Sequence, residues 1–193
     1  MSISTYSELK TALAAWIHRS DLTSQMADFV TLSESKFNRR LRTRQQETAF
    51  GPTTPTSYEI AIPSDFAAVR KLWRTSDKWE LIQRPIDTLT FLQEGGQSTG
   101  FAITDAFVFD GTSEVGGIYY AKITALSDSN TTNWLLTAYP DLYLWAGLSE
   151  AAFYAKDLNS AAMWTERADA LIREINNTSQ RDKFSGPLKV SAR

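Results

Sequence analysis

The sequence predicts an α+β protein with a four-helix core (two N-terminal and two C-terminal helices), an inserted β-rich lobe and an extended C-terminal tail. Apolar residues recur at helical spacing near both ends of the chain. Between these regions Pro52, Pro55 and Pro63 exclude a long helix. After Asn177 the helical period stops. The predicted units are residues 1–45 with 130–177 for the core, 46–129 for the lobe and 178–193 for a flexible tail.

Composition limits the class of protein. The 193 residues are 42% hydrophobic and 22% charged, which is ordinary globular usage. The absence of Cys excludes disulfides, thiolate chemistry and Cys-based zinc sites, and is compatible with a reducing cytoplasm. A net charge of −2 argues against a surface that binds nucleic acid throughout. We expect no signal peptide, and no apolar run is long enough to cross a bilayer.

Two helices open the chain. Thr5 and Glu8 have capping-box spacing ahead of an apolar stripe, which predicts a first helix ending near His18. A second helix begins around Thr23 and keeps a helical period to Leu41. Its end is basic, and cations there complement the helix dipole. The basic residues are Lys36, Arg39, Arg40, Arg42 and Arg44.

The lobe is predicted from strand-like segments and turn residues. Tyr58, Ile60 and Ile62 alternate as in a strand, and Thr75–Lys78 suggests a hairpin turn between Val69–Trp73 and Trp79–Ile82. A short helix follows Pro85 and is stopped by Gly95 and Gly96. The remaining strand candidates are Phe101–Thr104, Ala106–Asp110 and Gly117–Ile123.

A central helix is predicted from Pro140 to Lys156, with Pro140 at a first helical position. It is apolar nearly all round, which is typical of a helix buried on several sides. Gly147, Ala151 and Ala155 form a ridge of small residues that lets another helix approach closely. Two interpretations stay open: packing inside one subunit, or a subunit interface. The interface residues would be Tyr143, Gly147, Ala151 and Tyr154.

A final helix has Asn159 or Ser160 as its predicted N-cap and an apolar stripe that ends at Ile175. Asp169 and Arg173 have the spacing of a supporting pair on its other side. The tail after Asn177 carries mostly basic charge and is predicted to be disordered alone.

Catalysis has little support, and we expect no catalytic residues, no metal site and no cofactor. His18 is the single histidine, and its place at a helix end favours a capping role. Pairing Glu34 with Glu47 or Asp65 would suit glycoside hydrolysis, but nothing in the sequence brings them together. We rank three interpretations of the basic residues 36–44. Solvated or salt-bridged side chains come first, contacts with another protein second, and contacts with duplex DNA phosphates third.

The order of segments resembles the head-to-tail adaptor (head–tail connector) proteins of tailed bacteriophages. The matching segments are LKTALAAWIHRSDLTSQMADFVTLSESKFNRRLRTR, YEIAIPSDFAAVRKLW, TNWLLTAYPDLYLWAGLSEAAFYAKD and the terminal helix. Within them the basic helix end, the turn at Ile62–Phe66 and the helix start at Pro140–Leu144 occur in the family's order.

This resemblance implies a structural protein that forms a ring, typically dodecameric, under the portal vertex at the head–tail junction of the virion. The ring extends the channel for double-stranded DNA and is a docking platform for a downstream nozzle, stopper or tail-tube protein. Before assembly in the host cytoplasm we expect a monomer, with no membrane partner. The resemblance also implies that the tail grips the portal, and apolar residues among basic ones can fold on binding. The portal-binding candidates are Arg181, Lys183, Phe184, Pro187, Leu188, Lys189 and Val190.

Two other functions remain as alternatives. A DNA-binding protein that uses the basic helix end at residues 36–44 would bind tightly as a monomer with a steep salt dependence. A peptidoglycan hydrolase is less favoured, and a zymogram on cell-wall material would reveal it.

Overall fold

The computed structural model describes residues 3–93 and 96–183. Within them it confirms the mixed α+β class, with six α-helices and two β-sheets. The chain divides into two compact units. The helical unit comprises Met1–Gln45 and Ile123–Arg193, and the β unit comprises Gln46–Lys122. None of the described helices is long and apolar enough to cross a membrane.

The helical unit begins with α1 (Tyr6–Ile17) and α2 (Met26–Arg40). The capping box is present: the Thr5 hydroxyl accepts from the Glu8 N–H at 3.3 Å, and the Glu8 carboxylate accepts from the Thr5 N–H at 3.1 Å. A 3₁₀ helix, Ser20–Gln25, precedes α2, so the second α-helix starts three residues after the predicted Thr23.

After the β unit come α4 (Trp134–Ala138) and α5 (Pro140–Tyr154), with Pro140 in the first turn of α5 as predicted. Helix α5 packs against α1, α2 and α6, and most of its residues are buried. Burial on several sides explains why its sequence is apolar nearly all round. The core of this unit also takes residues from α1, α2 and α6: Leu9, Leu13, Met26, Phe37, Ala168 and Ile172.

Helix α6 (Leu158–Lys183) is longer than its apolar stripe predicts. Its first turn is capped by Asp157, whose carboxylate accepts from the Ser160 N–H at 3.2 Å, so the predicted caps Asn159 and Ser160 are wrong. The predicted end at Asn177 is also wrong, because Thr178–Lys183 continue the helix. The flexible tail cannot begin at residue 178. Residues 184–193 of the predicted tail lie outside the described part of the chain.

The β unit contains two sheets. The first has the order β1-β7-β3 and is antiparallel throughout. The second has the order β2-β6-β5-β4, with β4 and β5 parallel and the other pairs antiparallel. The strands are β1 (Glu47–Thr53), β2 (Glu59–Ala61), β3 (Phe66–Arg74), β4 (Ile82–Gln83), β5 (Gly100–Ile103), β6 (Ala106–Phe109) and β7 (Val115–Ala121).

Aromatic rings fill the core of the β unit. The Phe107 ring lies edge-on to Phe50 and to Phe66, with both pairs of ring centroids 5.3 Å apart. Strand β7 lies between β1 and β3, and its Gly117 faces Phe50 on one side and Leu72 on the other. A Cβ at Gly117 would collide with Leu72, so the close strand approach requires glycine there.

The predicted hairpin after β3 is present in part. The chain turns at residues 75–78, and the Arg74 N–H donates to the Trp79 carbonyl at 2.9 Å. The returning arm makes only an isolated bridge between Trp73 and Glu80. Residues Ile82–Gln83 pair with β5 of the other sheet instead. Helix α3 (Ile86–Phe91) follows Pro85, as predicted.

Candidate interaction surfaces

No group of three or more His, Cys, Asp or Glu side chains that could hold a metal ion occurs in the described ranges. His18 is exposed and forms the left-handed C-cap of α1, with φ of 55°. The carboxylates that the sequence suggested for hydrolysis each have structural partners. Glu47 pairs with Arg70, and Asp65 accepts from the Tyr119 hydroxyl at 2.9 Å. An ion pair and a hydrogen bond of this kind are typical of carboxylates with a structural role.

The third of these carboxylates, Glu34, belongs to a buried polar network. Its Oε1 accepts from the Leu126 N–H at 2.9 Å and from the Tyr143 hydroxyl at 3.0 Å. Asn133 in turn donates to the Tyr143 oxygen at 2.8 Å and caps α4 through the Leu136 N–H. Burial raises the pKa of Glu34, and the two hydrogen bonds it accepts oppose that effect only in part. Burial and the Glu34 charge raise the pKa of Tyr143.

Two of the basic residues at the end of α2 share one ion-pair partner inside the helical unit. Lys36 reaches the carboxylate of Asp169 on α6 at 2.9 Å, and Arg40 contacts the same carboxylate oxygen. Burial acts to raise the pKa of Asp169, but hydrogen bonds from both cations outweigh it and lower that pKa. Asp169 therefore faces α2, and the predicted pairing with Arg173 is not among the described ion pairs.

The chain that leaves α2 is held by the last turns of α6. Asn176 accepts from the Arg42 N–H at 2.9 Å and donates to the Arg40 carbonyl at 2.9 Å. Ser179, which is buried, accepts from the Arg44 N–H at 2.9 Å. The Arg42 guanidinium donates to carbonyls at the end of α2, including that of Asn38 at 3.0 Å. These bonds explain why α6 extends past its apolar stripe.

Arg39 and Arg44 have a different environment from the other three basic residues. Both are exposed, and neither takes part in an ion pair within residues 3–93 and 96–183. The structure therefore favours the solvated or salt-bridged interpretation over a single basic face.

Two of the three small ridge residues, Gly147 and Ala151, lie on α5 and are packed inside the helical unit, whereas Ala155 follows the helix and is half-buried. Tyr143 and Ala151 have no exposed surface, and a Cβ at Gly147 would lie 2.7 Å from Leu13 Cδ2. In the described part of the chain these three residues lie in the core of the helical unit. Of the four interface candidates, only Tyr154 is exposed, by 55%.

The portal-binding candidates are placed only in part. Arg181 is exposed on the last turn but one of α6, and Lys183 is the final residue of that helix. Phe184, Pro187, Leu188, Lys189 and Val190 lie outside the described residues.

A tryptophan cluster, formed by Trp16, Trp145 and Trp164, was not predicted from the sequence. The Trp145 and Trp164 rings stack with centroids 5.2 Å apart, and Trp16 lies edge-on to both. The Arg167 guanidinium lies 5.3 Å from both stacked rings. Trp16 is 48% exposed. Clustered Trp and Arg side chains at a surface are typical of binding hot spots.

An apolar groove, which we call the α2–α5 groove, also went unpredicted. It has a volume of about 600 Å³ and is lined by Phe29, Leu32, Phe153, Tyr154 and Leu158, with Glu150 and Lys156 as its charged residues. Leu32 is 52% exposed, and Phe153 and Leu158 are each 65% exposed. Phe153 belongs to the predicted central helix, which is apolar nearly all round, so only the packing of the fold reveals its exposure. Adjacent apolar side chains of this size mark interaction surfaces.

The chain matches a known protein family. The model of the family described as SU10 adaptor protein matches residues 4–191, which is nearly the whole chain. None of the curated proteins matches the chain.

Proposed function

The chain belongs to the SU10 adaptor protein family, and on that basis we propose that it is a structural protein of the phage head–tail junction. Copies of the chain assemble into a ring beneath the portal. The sequence resemblance implies that this ring is dodecameric. The ring extends the DNA channel and gives the downstream tail component a surface on which to dock. The observation that carries this proposal is the family match over residues 4–191.

The surfaces of the helical unit support a role in assembly. An adaptor needs apolar and aromatic surfaces that remain open until partners arrive. The α2–α5 groove and the tryptophan cluster are such surfaces, and both lie on well-packed helices. The proposal excludes catalysis, and the carboxylates suggested for hydrolysis have structural partners.

The portal contact is proposed at the C-terminal end of α6. Arg181 lies on that helix, and the remaining candidates follow it directly in the chain. Bonds from Asn176 and Ser179 to the segment after α2 hold this end in place. A rigid base for a binding segment lowers the entropy lost on binding.

Double-stranded DNA is proposed as a passenger in the channel. Lys36 and Arg40 share the single carboxylate of Asp169, and Arg39 and Arg44 are exposed. A partly paired cluster of this size releases few counterions, so the free chain is expected to bind duplex DNA weakly. This arrangement gives no added support to a dedicated DNA-binding function.

Negative-stain imaging of the chain mixed with purified portal tests the proposal. We expect additional density in a ring at one end of each portal particle, while the chain alone remains monomeric. Portal particles without added density, at a chain concentration far above that of the portal, would refute the proposed function. A peptidoglycan zymogram, expected to show no clearing, tests the hydrolase alternative on the same preparation.

A further inference from the structure

A phenylalanine of the β unit has an unusual exposure. Phe91, the last residue of α3, is 87% exposed, while Leu89 on the same helix is fully buried. Successive helical residues are rotated by about 100°, so Asp87 and Phe91 both point away from the side that Leu89 buries. Asp87 is exposed too. Together the two side chains form what we call the α3 knob, an aromatic ring beside one carboxylate.

The α2–α5 groove offers the complementary features. Its walls carry the aromatic rings of Phe29, Phe153 and Tyr154, which receive another ring in edge-to-face or offset geometry. Lys156 lines it, is exposed, and joins no ion pair in the described part of the chain. It sits in the left-handed conformation with φ of 61°, and its N–H bonds to the Phe153 carbonyl at 3.0 Å, so its backbone is fixed at the groove.

From this match of apolar shape and opposite charge we infer that the α2–α5 groove receives the α3 knob of a second copy of this chain. Phe91 enters the apolar part, and Asp87 pairs with Lys156. Glu150 lies on α5, one to two helical turns before Lys156, and carries the same charge as Asp87. The knob therefore docks at the Lys156 end of the groove. The inference rests on the proposed function, because it names one of the contacts between neighbours in the ring.

The contact is heterologous, since it joins two different surfaces. A heterologous contact leaves one knob and one groove free on every dimer, and repetition closes a ring or extends a filament. One ring in one groove buries far less than the roughly 1,000 Å² of a stable interface. The free chain therefore remains monomeric, and the contact forms where copies are concentrated on a common base.

Cysteine cross-linking tests the inference, and the absence of native Cys makes single-site labelling clean. Leu92→Cys places a thiol beside the knob, and Leu32→Cys places one in the groove wall. The two variants are mixed and treated with a short bis-maleimide, both free at high concentration and bound to portal. A matched pair uses Leu92→Cys with Ala15→Cys, since Ala15 is exposed on α1 and does not line the groove.

We expect a covalent dimer from the Leu32→Cys mixture well above that from the Ala15→Cys mixture. A chain with both Leu32→Cys and Leu92→Cys is expected to give a ladder of dimers, trimers and larger species. Cross-linking within single chains, or only between two Leu92→Cys sites, overturns the inference. So does protection of Leu32→Cys on the portal without a cross-link, which means that another protein fills the groove.

Charge reversal provides a second test of the inferred contact. Asp87→Lys or Lys156→Asp lowers the cross-link yield by about three- to tenfold, as expected for reversing one exposed ion pair, and the double reversal restores it. Phe91→Ala abolishes the cross-link without changing the melting temperature, because the ring is exposed. Yields unaffected by all these changes overturn the inference. Portal particles with added rings but no cross-link leave the proposed function intact, whereas particles without rings refute that function.

Discussion

The Tyr143 hydroxyl donates to the Glu34 carboxylate at 3.0 Å, and both side chains are buried in the helical unit. The bond joins α5 to α2, which are separated by the entire β unit in the sequence. The same carboxylate oxygen accepts the Leu126 N–H at 2.9 Å. Glu34 therefore fixes three segments of the chain at one point in the core.

The first prediction concerns the pH dependence of Glu34. Burial raises its pKa above the ordinary value of 4.5, so the folded state holds the proton more tightly than the unfolded state. The resulting stability is fully present below the unfolded pKa and is lost as pH rises through the folded pKa. Glu34→Gln keeps an acceptor oxygen and removes the titration. We expect the free energy of unfolding of the variant, relative to the native chain, to increase as pH rises from acid to neutral.

Urea denaturation across that pH range measures the difference. Glu34→Ala serves as the companion variant, because it leaves the Leu126 N–H and the Tyr143 hydroxyl without their acceptor. It is expected to cost about 1–3 kcal/mol. A difference between Glu34→Gln and the native chain that does not vary with pH would contradict the prediction.

The second prediction concerns Asp169, whose pKa is shifted in the opposite direction. Hydrogen bonds from Lys36 and Arg40 lower that pKa, so its contribution to stability is present above the unfolded pKa and is lost as pH falls through the folded pKa. Asp169→Asn is expected to lower the free energy of unfolding at neutral pH by about 1 kcal/mol. The control is Asp128→Asn, since Asp128 pairs with Lys10 at a highly exposed site. Equal denaturation midpoints for the two variants would argue against the network.

The third prediction concerns the close contact of α5 with α1. A Cβ at Gly147 would lie 2.7 Å from Leu13 Cδ2, so a larger side chain forces the helices apart. Gly147→Leu is expected to cost about 1–3 kcal/mol by overpacking. Ala15→Leu, at an exposed position on α1, is the matched control and is expected to be nearly neutral. Thermal melts of both variants measure the difference, and an unchanged Gly147→Leu midpoint would mean that the helices separate without cost.

The fourth prediction distinguishes the end of α6 from the residues after it. A chain ending at Lys183 retains the bonds from Asn176 and Ser179, so its melting temperature is expected to be nearly unchanged. The proposed portal contact would be lost. A chain ending at Asn177 also loses the Ser179 bond to Arg44, at a cost of about 1 kcal/mol. Melting curves and portal cosedimentation of both truncations test this, and normal portal attachment by either truncated chain would refute the proposed contact.

Local signals in the sequence predict the elements that depend on local chemistry. The capping box at Thr5 and Glu8, the Pro140 helix start and the short helix after Pro85 all follow from neighbouring residues. The end of α6 does not. It depends on hydrogen bonds that Asn176 and Ser179 accept from residues more than a hundred positions away, which no helical period records.

The surfaces were harder to predict for a related reason. Helical spacing groups Phe153 with buried residues of α5, yet Phe153 is exposed because no other element in the described part of the helical unit covers that side. The sequence does not show that Lys36 and Arg40 pair with Asp169 of α6 while Arg39 is exposed. Both distinctions depend on which helices pack together, and a single sequence contains that information only indirectly.

The length of α6 has a consequence for the order in which partners bind. Its two ends lie about 38 Å apart, and the groove is at one end while the proposed portal contact begins at the other. Occupants of the two ends therefore do not compete for space. A subunit can be captured at one end first and joined by its neighbour later, without releasing what it already holds.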